Sequence, residues 1–266
     1  MYTSFVLPIF DYCDFIWNNC TKAQELLLEK LYLDALRTIC GSVRGVSHSK
    51  LYLETGFSSL SDRRKLHKMC VFHKMVYGKT PEYLSDLLPL NISSVSTYET
   101  RSSNILQNPL CRTETYKNSF IPSCVCEWNM LDDNIRRIDS TTLFKTRFDQ
   151  TIPCNVHHVV KKVGTRLNKI IHSRLRLGCS DLNAHKFNRF LQNYSTCSCG
   201  YRYEDAIHYL FICPTFLAIR ARCFFYENGY DLRTVLFGSY SLSDDINLKI
   251  VNSLHNYFTL TKRFST

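Results

Sequence analysis

Glycine is scarce in this chain, nine residues in 266, and none of them builds the Gly-rich turn that cradles a phosphate. Nucleotide sites of that kind are set aside. No apolar run approaches the ~18–20 residues that a membrane span needs. The best candidate, 210–226, is cut by Pro214, Arg220 and Arg222. The opening MYTSFVLPIFDYCD lacks a basic segment and reaches acidic residues within fourteen positions, so a secretory signal is not expected. Internal repeats are not evident. The thirteen cysteines are odd in number and scattered, unlike the dense, even framework of a small secreted domain. These absences predict an intracellular protein, nuclear or cytoplasmic, with reduced thiols and no membrane partner.

What is present is enough for a core: 45% hydrophobic and 13% aromatic residues exclude wholesale disorder. The net charge of +10 is unevenly placed. Residues 61–78 hold Arg63, Arg64, Lys65, Lys68 and Lys74 against Asp62. Residues 159–190 hold Lys161, Lys162, Arg166, Lys169, Arg174, Arg176, Lys186 and Arg189 against Asp181. The two blocks carry +4 and +7, so the remainder of the chain sums to −1. Two basic blocks on a near-neutral background suggest a polyanion partner, RNA or DNA bound without sequence preference. The plainer alternative is two solvated helix faces.

The pattern of apolar residues is helical. Thr21 caps a run with Leu27, Leu28, Leu31, Ala35, Leu36 and Ile39, stopped by Gly41. Ser59 or Ser61 opens a second helix ending at Gly78, Pro122 fits the first turn of a third, and Ser140 opens a fourth. A fifth is expected over 157–176 as one basic amphipathic helix. The last starts near Ser243 and carries Ile246, Ile250, Leu254 and Phe258. Residues 89–121 are rich in Ser, Thr and Asn, and irregular structure or short strands are expected there. The fold class is therefore mainly α, in two helical lobes, 1–152 and 153–266, with the boundary at the Ile152-Pro153-Cys154-Asn155 break.

The sharpest local signal is Cys197-Ser-Cys199-Gly200, followed by eight residues to His208 and four more to Cys213. Gly200 tolerates a tight backbone path that lets both thiolates face one centre. Three sulfurs and one imidazole make a closed tetrahedral set, the donor pattern of structural zinc. Such a site leaves no position open for water, so it argues for scaffolding. The other clusters are weaker. Cys154, His157 and His158 lack a fourth ligand nearby, and Cys124 and Cys126 read as buried small hydrophobes. Asp11 and Asp14 lack a metal-site context, and His67 and His73 have no Ser or Cys nucleophile that sequence can place beside them. Met130-Leu131-Asp132-Asp133 has the acidic pair of a polymerase palm but no flanking strand pattern and no third carboxylate.

Several blocks, taken in order, resemble the C-terminal third of non-LTR (LINE-like) retrotransposon reverse transcriptases. They are LPIFDYCDFIWNNC, LEKLYLDALRTICG, SLSDRRKLHKMCVFHKMVYGKTPEYLSDLLP, RTETYKNSFIPSCVCEWNML and STTLFKTRF. RLRLGCSDLNAHKFNRF and CSCGYRYEDAIHYLFICP resemble the family's zinc-knuckle-like tail. The resemblance implies thumb and tail functions, a grip on template and primer, and strengthens the expectation of zinc at Cys197, Cys199, His208 and Cys213. The family's palm and endonuclease have no counterpart in these blocks, and Met130–Asp133 falls where the family reads Leu-Trp-Asn-x-Leu-Pro. The chain thus reads as a non-catalytic fragment that binds nucleic acid through Arg63, Arg64, Lys65, Lys68, Lys161, Lys162, Arg166, Lys169, Arg174 and Arg176. The alternative is a helical protein-interaction or vestigial domain. An anionic-membrane binder, through the basic amphipathic stretch 157–176, is a third reading.

Overall fold

The computed structural model describes residues 2–17, 19–92, 105–149 and 155–264. Among these the protein is mainly helical and has no strand; Asn91 and Leu106 form an isolated antiparallel bridge. The rest of the polar stretch between them lies largely outside the described residues, as does Cys154 at the expected inter-lobe break. The helices that position the sites are α1 (Lys22–Cys40), α2 (His48–Thr55), α3 (Leu60–Val76), α4 (Phe120–Asn129), α5 (Thr141–Phe148), α6 (His158–Lys162), α7 (Arg166–Leu177), α8 (Leu232–Phe237) and α9 (Asp244–Thr261).

Their starts follow capping chemistry. Thr21 and Gln24 form a reciprocal capping box ahead of α1: the Thr21 N–H donates to Gln24 Oε1 (3.0 Å) and the Gln24 N–H to Thr21 Oγ1 (3.4 Å). Ser59 accepts from the Asp62 N–H at 3.1 Å and opens α3. Thr165, Asp231 and Ser243 do the same for α7, α8 and α9. The 157–176 stretch is two helices rather than one. Val163 is extended, Gly164 sits at φ +93°, and Thr165 starts α7 afresh. A Cβ at Gly164 would collide with the His255 ring, so the break is tied to close packing against α9.

The chain divides into two compact units. Unit one takes in residues 1–31 and 58–151, and unit two residues 32–57 and 152–266. Residues 32–57, which the linear reading places in the first lobe, cluster with unit two. The reason is a buried ion pair: Glu54 on α2 receives Arg176 of α7 in a bidentate grip, with Nε–Oε2 at 2.9 Å and both side chains at 7% exposure or less. Arg174 also donates from Nε to the Gly41 carbonyl at 2.7 Å.

In unit one the apolar stripe of α3, with Met69 and Phe72, packs on Cys124, Val125 and Trp128 of α4 and on Phe144 of α5. Trp128 meets Phe72 edge-on at 5.8 Å, and His73 stacks on Phe144 at 4.4 Å while its Nε2 lies 2.6 Å from the Ile138 carbonyl. Burial holds His73 below the usual histidine range, so the ring is a neutral core group. Cys124 is buried as expected, but Cys126, two positions on, faces solvent. In unit two α7 and α9 carry Ile171, Leu175, Ile250, Leu254 and Phe258 into a core completed by Tyr209, Phe225 and Tyr257. Tyr257 is fully buried and donates its hydroxyl to the Tyr209 carbonyl at 2.7 Å, which offsets the cost of burying a polar group.

Candidate metal centre and basic cleft

The four residues Cys197, Cys199, His208 and Cys213 converge. Their ligand atoms lie within 4.8 Å of one another. Two short segments bring them there. The turn at 197–200 is closed by the Gly200 N–H donating to the Cys197 carbonyl (3.0 Å), and the Cys197 N–H donates to Tyr201 (2.9 Å). His208 begins a wide helical turn, His208–Ile212, whose end places Cys213 back beside it through the Cys213 N–H and the His208 carbonyl (2.7 Å).

The donor spacing suits a tetrahedral ion. Cys197 Sγ and Cys213 Sγ are 3.8 Å apart, and Cys199 Sγ lies 3.3 Å from His208 Nε2. Metal–sulfur bonds of about 2.3 Å at tetrahedral angles place two sulfurs about 3.8 Å apart, whereas a disulfide needs about 2.05 Å. His208 Nε2 is the nitrogen that faces the thiols; Nδ1 is buried without a partner. Tyr201 stacks flat on the imidazole at 4.3 Å, and Asp205 accepts the His208 backbone N–H at 2.8 Å, so stacking orients the ring while the cap holds its backbone. Burial lowers the His208 pKa and pushes the Cys197 thiol up to about 11, so the histidine is neutral and ready to ligate while that thiol must give up a proton to do so. A divalent ion held by three thiolates carries a net charge of −1. Arg220 is buried next to the cluster and donates from Nη1 to the Cys213 carbonyl at 3.0 Å, a cation placed to balance it. The cluster can hold a metal ion, and its donor set is compatible with Zn²⁺.

The sequence-selected cations separate into those committed to the fold and those on the surface. In unit one, Arg63 grips Asp11 with two bonds of 2.5 and 2.6 Å. Arg64 is buried, pairs with Glu25 (2.9 Å) and lies over Trp17. Lys68 is buried against Glu127 at 2.7 Å. Lys65 alone of this group is exposed. Three of the four are therefore internal ion pairs, because α3 turns its basic positions toward carboxylates 39 to 59 positions away in sequence. Asp14 and His67 also meet there, at 2.6 Å, beside the Asp11 carboxylate that Arg63 already neutralises.

In unit two Arg176 is buried and paired, and Arg174 is turned to Gly41. Lys161, Lys162 and Arg166 are exposed, and Lys169 is half-buried. Lys161 donates to the Thr55 carbonyl at the end of α2 (3.2 Å), and Lys169 donates to the Lys162 carbonyl (2.9 Å), which ties α7 to α6 across their shared break. Lys161, Arg166 and Lys169 line a cleft of about 420 Å³ whose floor includes Cys40, Ser173 and the Glu54–Arg176 pair.

Comparison with protein-family models, curated proteins and solved structures finds no match to this chain. The functional reading therefore rests on the local geometry and on the resemblance of the sequence blocks. Of the tyrosines near the metal cluster, Tyr201 is spent in part on His208, the Tyr203 hydroxyl accepts from Asn188 Nδ2 at 2.8 Å, and Tyr209 is core. No helix among the described residues is long and apolar enough to cross a membrane. Sequence reasoning also passed over Asp244, which joins His157 and His158 from 86 positions away.

Proposed function

We propose that this chain is a non-catalytic nucleic-acid-binding segment of the non-LTR reverse transcriptase type, with a structural Zn²⁺ at Cys197, Cys199, His208 and Cys213. The observation that carries the reading is the basic cleft of unit two. Lys161, Arg166 and Lys169 line it, and exposed Lys162 lies beside them on α6. Cations so grouped bind phosphates without reading bases. The zinc would hold the 197–200 turn against the 208–213 segment and supply folding energy rather than chemistry. Cys197, Cys199, His208 and Cys213 would fill all four tetrahedral positions.

The absence of polymerase chemistry is part of the proposal. Asp133 pairs with Arg137 at 2.7 Å, and Asp132 is the residue before the Asp133–Arg136 turn, so the acidic pair serves a helix start. The test is fluorescence anisotropy with labelled duplex and single-stranded oligonucleotides. Replacing Lys161, Lys162, Arg166 and Lys169 together by Gln is expected to weaken binding at least about tenfold at low salt. Equal affinity in that variant, with helicity unchanged, contradicts the reading and favours a protein-interaction role.

A further inference from the structure

We propose that His157, His158 and Asp244 form a second metal-binding site, taking a divalent late-transition-metal ion such as Zn²⁺. All three belong to unit two. His157 is the residue before α6 and His158 its first residue; Asp244 is the first residue of α9, just after its Ser243 cap. Their ligand atoms lie within 4.8 Å of one another. His158 Nε2 is 3.0 Å from one Asp244 oxygen, and His157 Nε2 is 3.7 Å from the other. Bonds of about 2.0–2.1 Å at tetrahedral angles separate such ligand atoms by about 3.3 Å, a value these two distances bracket.

The site is built rather than fortuitous. The His157 N–H donates to the Phe237 carbonyl at 2.8 Å, and a Cβ at Gly238 (φ +73°) would lie 2.6 Å from the His157 Cβ, so this glycine admits the histidine. The two imidazoles lie 4.4 Å apart, and Tyr240 covers His157 at 4.6 Å. His157 is only 3% exposed, yet neither ring nitrogen makes a hydrogen bond among the described residues. Nδ1 is enclosed, and Nε2 points at the carboxylate from beyond hydrogen-bond range. An ion at Nε2, the nitrogen that faces the carboxylate, would bridge the two in place of the hydrogen bond that 3.7 Å does not allow. Two imidazoles and one carboxylate select Zn²⁺, Ni²⁺, Co²⁺ or Cu²⁺ over Mg²⁺ and Ca²⁺. His158 and Asp244 are half or more exposed, which leaves the remaining coordination positions to water.

The experiment is a Zn²⁺ titration of the full chain against a competing chromophoric chelator. Two classes of site are expected. Asp244→Asn and His158→Ala should each weaken the second class by more than about 100-fold, beyond the 10- to 100-fold that changes around a metal's ligands cost, and leave the first class intact. Cys213→Ser should remove the first class and spare the second. NMR of the histidine rings gives an independent reading on the unmodified protein: the second equivalent should shift His157 and His158. A single class in the wild-type chain, a second class untouched by both variants, or shifts confined to other histidines would overturn the proposal.

Discussion

Cys197 and Cys213, 16 positions apart, hold their sulfurs at 3.8 Å, too far for a disulfide and at the spacing of two thiolates on one ion. The approach is set by the 197–200 turn, by the wide turn that begins at His208, and by buried Arg220 on the Cys213 carbonyl.

Cobalt substitution reads this centre directly. Co²⁺ added to the chelator-treated chain should give intense thiolate-to-metal charge-transfer absorption, because three sulfurs bind it. Cys199→Ser combined with Cys213→Ser should abolish that band and lower the stability of unit two. An unchanged band in the double variant would exclude these cysteines as ligands.

The caps were the most readable part of the sequence. Ser59, Ser140 and Ser243 stand where a short polar side chain precedes an apolar 3.6-residue period, and each accepts a backbone N–H there. The metal cluster was readable for the same reason, its ligands falling within one local stretch. The break within 157–176 has local signals that periodicity alone passes over: Gly164 followed by Thr165, with Asn168 donating back, is a stop and a new start. Long-range ion pairs left no local trace. Nothing near Arg176 announces Glu54, 122 positions away, and nothing near His158 announces Asp244. Periodicity reports which face is apolar; it does not report which charges will be buried in pairs.

The histidine pair of unit two makes stability depend on pH. His172 and His255 lie 3.3 Å apart between α7 and α9, with Arg176 and Lys169 as the nearby cations. Burial lowers His255 to about 4 and His172 well below its usual value. A group whose folded pKa is depressed below its unfolded value of 6.5 binds its proton only on unfolding. The stabilisation is complete above about 6.5 and is lost as pH falls from there toward 4. For His255 alone the loss between pH 7.5 and 5 is about 2 kcal/mol. Urea denaturation at the two pH values, compared with His255→Gln, should show a smaller pH dependence in the variant. Equal dependence in both would contradict this.

The Glu54–Arg176 pair should behave as a structural element and not as part of the binding surface. Glu54→Ala leaves a buried guanidinium with only the Leu236 carbonyl as a polar partner for Nη1, and should cost about 3–5 kcal/mol. Glu54→Leu with Arg176→Met removes both charges and should cost less than the single change. Denaturation curves of the three proteins check the order. The double variant should keep wild-type oligonucleotide affinity, since Arg176 is not exposed to phosphate.

In unit one, Trp128→Ala removes the ring that Phe72, His73 and Phe144 all touch and should destabilise by about 3–5 kcal/mol. A cost under about 1 kcal/mol in thermal or chemical unfolding would show that this cluster is not the unit's core.

The salt dependence of nucleic-acid binding tests the central claim most directly. If Lys161, Lys162, Arg166 and Lys169 each neutralise one phosphate, log affinity should fall with log salt at a slope of about −3.6 on duplex and about −2.8 on single strands. Anisotropy titrations over a series of salt concentrations give the slope, and each Lys→Gln change should reduce it by about one. Binding that ignores salt, or no binding at the lowest salt, would contradict the account.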